Sequence, residues 1–533
     1  MLSDILKVVL LAVGAVVIVH RLLLMRSASL TYKRLSLVAT GGVAALALVG
    51  YTNFLDFHDY GKYGKHLYHY HDIYHYYLGA KYYQELRYDR LYDCTYVALQ
   101  DIAAEGIAVP NIVAIRSLQN ADESYQAADR VVENRARCTA AMAPARWQSF
   151  KHDLKTFLGQ GWQTEWWRVM LFDLGFNPPP SWAVFASPLA NLVPLGPWSL
   201  ELLPLLDLLL VFGLAGYFVA RAFSPFHLYG YWLVLGTNWW ASYVWTGGSY
   251  FRQVWFACLV VAVCLWKMKR IRLASLLFGL TAALRLFPAA FFVGALWPLL
   301  FSLRKPATRK TLLTASLIFG ATVASAVAVS LLLYGRDGWQ DFFAKIGRHN
   351  NTFFVMHFGF KKFAVFSHSI AGQDFWWEEG LKRFVAWNAR LRAIYQDSIV
   401  LNTALQLGVP AAAFYVFRKY PGHFTSVALG GTLLFFFSIP ANYYYVYLSL
   451  LAVVAMRTKE RRPTALIAIA IWLGLVAINV MPFTTTDGLL YNGYVNRILF
   501  GLFAALPVLG YLESSDRAKA WLARWLLQWE KTP

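Results

Sequence analysis

Residues Leu55–Asp93 read LDFHDYGKYGKHLYHYHDIYHYYLGAKYYQELRYDRLYD, a stretch dense in Tyr, His and acidic groups between a hydrophobic segment and a long polar region. So many polar groups place it outside hydrocarbon, at the edge where an apolar run ends. The acids Asp56, Asp59 and above all Asp72 are therefore the first candidates for catalytic chemistry, and the flanking sequence has to say what would react there.

Those flanks are hydrophobic. The chain has 533 residues, 58% hydrophobic and 17% aromatic, and its apolar residues fall in runs of roughly 17–25, the length a helix needs to cross a bilayer. The fold class is all-α, a polytopic transmembrane helical protein. A net charge of +20 sits in short Lys/Arg clusters between apolar runs, the pattern of cytoplasmic loops, and implies no nucleic-acid partner.

Upstream of the acid-rich stretch, residues 1–52 hold two apolar segments, Ile5–Met25 and Leu35–Thr52, joined by the basic connection RSASLTYKR. No small-residue cleavage site follows the first, which reads as a retained anchor. With the basic connection inside, the second segment delivers Leu55–Asp93 to the outer face. Downstream, no run long enough to span occurs before residue 182, so residues 53–182 form one helical external domain, with Cys94 and Cys138 available for a disulfide or left free. It ends in WWRVMLFDLGFNPPPSW, whose three prolines break helix and force an extended corner. Cys258 and Cys264 lie in an apolar run and read as packing residues.

Residues 183–334 return to the membrane. Two basic loops, Lys267–Arg272 and Leu303–Lys310, both belong inside, yet only Leu273–Ser302 separates them. Two half-helices of about 13 residues, each reaching roughly 20 Å, fit that interval as a short broken hairpin. Its tip is ALRLFP, which places Arg285 in the outer part of the membrane beside the helix-breaking Pro288. A guanidinium there should face a polar cavity or an anionic partner, either a structural salt bridge or, as favoured here, a ligand phosphate.

Residues 335–397 form a second external loop carrying RHNNTFFVMHFGFKK. Its Arg348, His349, Asn350, His357, Lys361 and Lys362 suit an anionic or hydroxyl-rich ligand, although loop residues of this kind are commonly ordinary surface. Residues 398–513 hold further spans near Ser398–Phe417, Thr425–Ile439, Tyr443–Met456, Leu466–Val480 and Ile498–Tyr511, with FRKY and RTKERR inside. Residues 514–533 end in AKAWLARWLLQWEK, which reads as an amphipathic cytoplasmic helix. The total is about 13 segments including the short hairpins.

No GxxxxGK[ST] or strand-associated GxGxxG sequence supplies a nucleotide site. An outward-facing site on such a protein would draw instead on an activated lipid. The order Asp72, Tyr76, Gly79, Ala80, Leu91, Tyr92 resembles the first external loop of GT-C glycosyltransferases, especially the polyprenyl-phosphate-mannose-dependent family 87. WKMKRIRLASLLFGLTAALRLFPAAFF and FFFSIPANYYYVYLSLL are similar to later segments of that family, while GGSYFRQ departs from its usual Gly-Gln pair. The resemblance touches roughly residues 53–95 and 245–456.

It implies inverting transfer of a mannose-like sugar from a polyprenyl-phosphate donor to a hydroxyl of an envelope lipid or glycan, in a bacterial inner membrane with a periplasmic site. Asp72 would be the general base, with Asp56 and Asp59 as alternatives. Arg285 and Arg252 would bind the donor phosphate, and His75, Tyr76, His349 and Asn350 would position the acceptor. No cofactor is required by any motif; a divalent cation, Mg or Mn, is the alternative. His66, His69, His71 and His75 with Asp72 have a spacing that can gather a metal, against a plainer reading as interfacial anchors. A lipid or glycan transporter is the competing function, since broken helices around a buried Arg also build transport sites.

Overall fold

The computed structural model describes residues 2–24, 29–120, 122–366, 378–456 and 465–515. The chain is mainly helical. Among the described residues, seven helices are long and apolar enough to cross a membrane: Leu2–Leu23, Leu30–Tyr51, Pro197–Ala222, Pro306–Tyr334, Ile399–Phe417, Leu466–Phe483 and Gly488–Ser514. Five shorter apolar helices accompany them. This is a membrane protein by the length and composition of its helices. The basic run RTKERR and nearly all of residues 514–533, including the expected amphipathic helix, lie outside the described residues.

The hairpin around Arg285 has the expected shape. Ile271–Leu284 and Ala289–Leu300 are 14 and 12 residues long, and Arg285 between them is extended at φ −152°, ψ 133°. Pro288 caps the second half-helix. This second half packs closely on Gly422–Phe437: the Thr425 hydroxyl donates to the Gly294 carbonyl at 2.8 Å and Ser426 to the Phe291 carbonyl at 2.7 Å. A Cβ on Gly294 would lie 2.5 Å from the Thr425 carbonyl oxygen, so glycine permits the approach, as small residues do at membrane helix contacts.

Residues 53–182, expected to be helical, are helical with two additions. His58–Asp59 pairs with Lys65–His66 and Ala114–Arg116 with Ser124–Gln126, each an antiparallel two-stranded ribbon. These pieces are too short to show the alternation that marks a strand in sequence. Leu91–Ala104, Ala127–Ala141, Pro144–Leu158 and Thr164–Leu171 form the body of the layer, and Cys94 is disulfide-bonded to Cys138. Of the three prolines, Pro179 is extended while Pro180 opens the helix Pro180–Leu192. Proline is tolerated in a first turn because its missing N–H would be unpaired there. The 182/183 domain boundary therefore falls inside a helix. The last span also begins earlier than Ile498, at Gly488, where the Asp487 side chain accepts the Leu489 N–H at 2.8 Å.

Candidate functional site

The decisive segment is Tyr70–Ile73, a single helical turn that widens into a π turn at Tyr74–Leu78. Such widened turns re-aim side chains and recur at functional sites. Asp72 is buried here and ion-paired with the Arg252 guanidinium. Nδ1 of His69 lies 3.3 Å from the same carboxylate oxygen, and burial, then the neighbouring His71 and Arg252, hold His69 neutral by pushing its pKa well below the usual histidine range.

Arg252 is placed by a tight loop. Gly248 sits at φ +76°, where a Cβ would lie 2.1 Å from the Leu67 carbonyl oxygen, and its own carbonyl accepts the His69 N–H at 2.8 Å. The loop therefore locks the Arg252 segment onto the Asp72 turn. Phe251 follows at φ +55°, an uncommon backbone state for a bulky residue. The N–H groups of Arg252 and Gln253 then donate to Asp207 Oδ2 at 2.9 and 3.1 Å.

Arg285 reaches the same place from the hairpin tip. Its Nη2 donates to the Tyr76 hydroxyl at 2.9 Å. Aromatic rings wall the two guanidiniums: Arg252 lies 4.1 Å from the Tyr443 centroid and 5.4 Å from Tyr76, and Arg285 lies 5.6 Å from Tyr76 and 5.9 Å from Tyr444. Nε of Arg252 and both Nε and Nη1 of Arg285 are buried without a hydrogen-bond partner. Among the described residues no carboxylate stands within ion-pair distance of Arg285. Buried donors of this kind are costly unless something accepts from them, and a planar guanidinium with two adjacent N–H groups matches the oxygens of a phosphate.

The other sequence candidates divide. Asp56 pairs with Lys65 at the exposed surface, and Asp59 accepts the Gly61 N–H at 2.9 Å; neither joins the Asp72 cluster. His66 and the Leu67 N–H are engaged by Glu201. The proposed set of four histidines with Asp72 does not assemble. Ligand atoms of His71, His75 and Asp173 instead fall within 4.8 Å of one another, because the i, i+4 histidines share a face while Asp72 turns to Arg252. In that trio His75 is already committed: its Nδ1–H donates to the His71 carbonyl at 2.7 Å and Nε2 accepts from the Tyr92 hydroxyl at 2.8 Å. Burial and the adjacent His71 bring the His75 pKa down to about 3. Asp173 bonds His71 at 2.9 Å; burial raises its pKa, but His71 outweighs this and holds it below the usual carboxylate range.

The His349 ring lies tilted against that of His357, 4.9 Å between ring centroids, and Asn350 Oδ1 accepts the Ile439 N–H at 3.2 Å, tying the second polar loop to the segment that carries Tyr443 and Tyr444. Lys361 donates to the Asn350 carbonyl at 3.3 Å, while Lys362 is buried over Trp387. Four contributors were not singled out in the sequence. Asp207 is a lone acid in the apolar run LLPLLDLLLVF, which is itself a signal. Tyr443 and Tyr444 lie within the aromatic segment noted above, but nothing in it showed that their rings face arginines. Asp173 lies beside the prolines with no local feature to mark it.

Comparison of the chain with family models, with curated proteins and with solved structures found no match in any of the three.

Proposed function

We propose that this protein is a GT-C-like membrane glycosyltransferase that moves a sugar from a polyprenyl-phosphate donor to a hydroxyl of an envelope lipid or glycan. The observation that carries this reading is the buried Asp72–Arg252–Arg285 cluster, which combines one carboxylate with guanidinium N–H groups that lack acceptors. The resemblance of the flanking segments to glycosyltransferase family 87 supports it. So does the broken hairpin that holds Arg285 at its tip. On this reading the chain lies in a bacterial inner membrane with about 13 segments, and residues 53–182 and the site face the periplasm.

In the reaction the acceptor oxygen attacks the anomeric carbon from the face opposite the phosphate, and its proton passes to Asp72. The bond from the anomeric carbon to the phosphate oxygen breaks, and its electron pair leaves on the polyprenyl phosphate. Arg285 and Arg252 stabilise that charge through N–H groups held in place beforehand. Arg252 is the partner of Asp72 before the donor enters, so donor phosphate takes over the guanidinium and releases the carboxylate to act as base. His75, held neutral and bonded to Tyr92, fixes the turn that aims Asp72.

The test is transfer of labelled sugar from polyprenyl-phosphate mannose, and from a panel of other polyprenyl-phosphate sugars, to envelope lipid extract. Asp72→Asn is expected to lose about 10²–10⁴ of the turnover, the usual worth of a positioned general base, while still binding donor. Turnover equal to wild type would remove Asp72 as the base. If the purified wild type moves an intact lipid or glycan across liposomes and transfers no sugar from any donor, the transporter reading replaces this one.

A further inference from the structure

A small cleft, cationic on one side and apolar at Leu118, Leu174, Phe354 and Phe384, lies apart from the Asp72 cluster. It has a volume of about 40 Å³ and lies between Arg116, Leu118 and Asp122, the turn carrying Leu174 and Asn177, and the helix Asp337–His349. Roughly 10–15 Å³ on this measure holds one water, so it admits a compact group of a few heavy atoms and excludes a whole sugar. Its polar lining is Arg116, Asn177, Lys345, Arg348, His349 and Thr352, and Asp122 is its one acidic lining residue, exposed at the rim.

Lys345 marks what the cleft lacks. Its side chain is buried, 9% exposed, and Nζ has no hydrogen-bond partner. The nearest acids that act on it are Asp173 and Asp89. Asp173 is bonded to His71 and Asp89 to Arg137; both favour the charged form of Lys345 from a distance, but among the described residues neither accepts a hydrogen bond from Nζ. Its other close neighbour is the Tyr88 ring, 5.6 Å from centroid to Nζ. A buried ammonium without an acceptor is costly, and burial brings the Lys345 pKa down to about 7; an anion in the small cavity that it shares with two guanidiniums would hold it charged.

The cleft is also next to the reaction centre by chain geometry. One wall is the Asp173–Phe176 turn, where Gly175 at φ +66° brings backbone to Lys345: a Cβ there would lie 3.5 Å from Nζ. Asp173 on the same turn is bonded to His71, whose ring is 6.2 Å from that of His69, and His69 touches Asp72. A molecule with one end in the cleft is a single turn of chain from the row that leads to the base.

We propose that this cleft binds a phosphate group carried by the acceptor, with Lys345, Arg348 and Arg116 as its cationic partners. The role as an acceptor site rests on the glycosyl-transfer reading; the anion site itself does not. The phosphate is either that of a phospholipid headgroup or that of a phosphorylated glycan, since both present the same tetrahedral oxyanion.

Inorganic phosphate binding to the detergent-purified full chain, measured calorimetrically, tests the site first. Lys345→Met is expected to weaken it about tenfold or more, the loss of one charge-assisted hydrogen bond, and Lys345→Arg to restore most of it. Arg285→Met separates this site from the donor site, because it leaves the Lys345-dependent binding in place. Arg348→Gln, at an exposed position, gives a second reading should Lys345→Met fold poorly, and is expected to weaken phosphate binding in the same direction. Phosphate binding to both variants at wild-type strength overturns the proposal. In the transfer assay, a raised acceptor KM in Lys345→Met with an unchanged donor KM supports the acceptor role, and parallel assays with an anionic phospholipid and with a phosphorylated oligosaccharide identify the source. Loss of phosphate binding in Lys345→Met, together with a wild type that transfers no sugar, keeps the anion site and overturns its acceptor role.

Discussion

Two buried ion pairs in this molecule have nearly the same burial and opposite surroundings. Lys81 and Asp153 are 9% and 1% exposed in their side chains, and Arg252 and Asp72 are 6% and 8% exposed. Around the first pair every polar atom is used: Lys81 reaches both Asp153 oxygens at 3.0 and 2.8 Å, Tyr82 donates to Oδ2 at 2.7 Å, and Ser149 bonds Tyr82 at 2.9 Å. Around the second, guanidinium N–H groups of Arg252 and Arg285 are without acceptors. Burial alone does not tell these two pairs apart. The unfilled hydrogen-bonding capacity around the second does, and it is what the proposed donor site rests on.

The comparison breaks first at the satisfied pair. Lys81→Met leaves Asp153 charged and buried among groups that cannot replace the ammonium, and is expected to cost about 3–5 kcal/mol of stability. Denaturant melts of the variant measure this. The folded fraction should retain donor binding, because nothing in that network touches the arginines, and loss of donor binding in well-folded Lys81→Met would mean the two pairs are coupled.

A smaller effect comes from the histidines beside the second pair. The His75 pKa is lowered to about 3 by burial and by His71, against an ordinary value near 6.5. Between those values the unfolded chain binds the proton and the folded chain does not. Stability is therefore full above about pH 6.5 and falls on acidification, by up to about 1.4 kcal/mol per pH unit for this one group. Melting temperature followed from pH 7.5 down to pH 5 should show the decline, and His75→Gln should make it shallower by one group's share, since His69 and other buried histidines titrate in the same sense. An unchanged slope in His75→Gln would assign the decline to other groups.

The smallest effect is expected at the exposed acid. Asp56 pairs with Lys65 at a half-exposed surface, and such pairs contribute about 0–1 kcal/mol. Asp56→Ala should leave turnover at the wild-type level and the melt almost unmoved, and a large loss of turnover would return Asp56 to the list of bases.

These contrasts also show what the sequence could reveal. Long apolar runs and the spacing of two basic loops were enough to read a mainly helical membrane protein and the half-helix pair around Arg285, because helix rise and bilayer thickness fix those lengths. The expected total of about 13 segments compares with seven span-length and five shorter apolar helices among the described residues. Asp72, Arg252 and Arg285 were legible as polar groups at membrane edges. That Asp72 and Arg252 face each other was not, since residues 72 and 252 meet only through the Gly248 loop and the π turn at Tyr74–Leu78. The histidine cluster failed for the same reason: helical spacing correctly joined His71 to His75, but their acid, Asp173, comes from about a hundred residues away and no local periodicity can name it.

The pairing of Asp72 with Arg252 has a thermodynamic consequence on the proposed reading. A donor that must part this pair spends some of its phosphate's interaction energy in doing so, and its measured affinity understates the strength of the contacts it makes. The energy withheld from binding is not lost. It appears as an unpaired carboxylate beside the acceptor, so a weaker grip on the ground state is exchanged for a faster step.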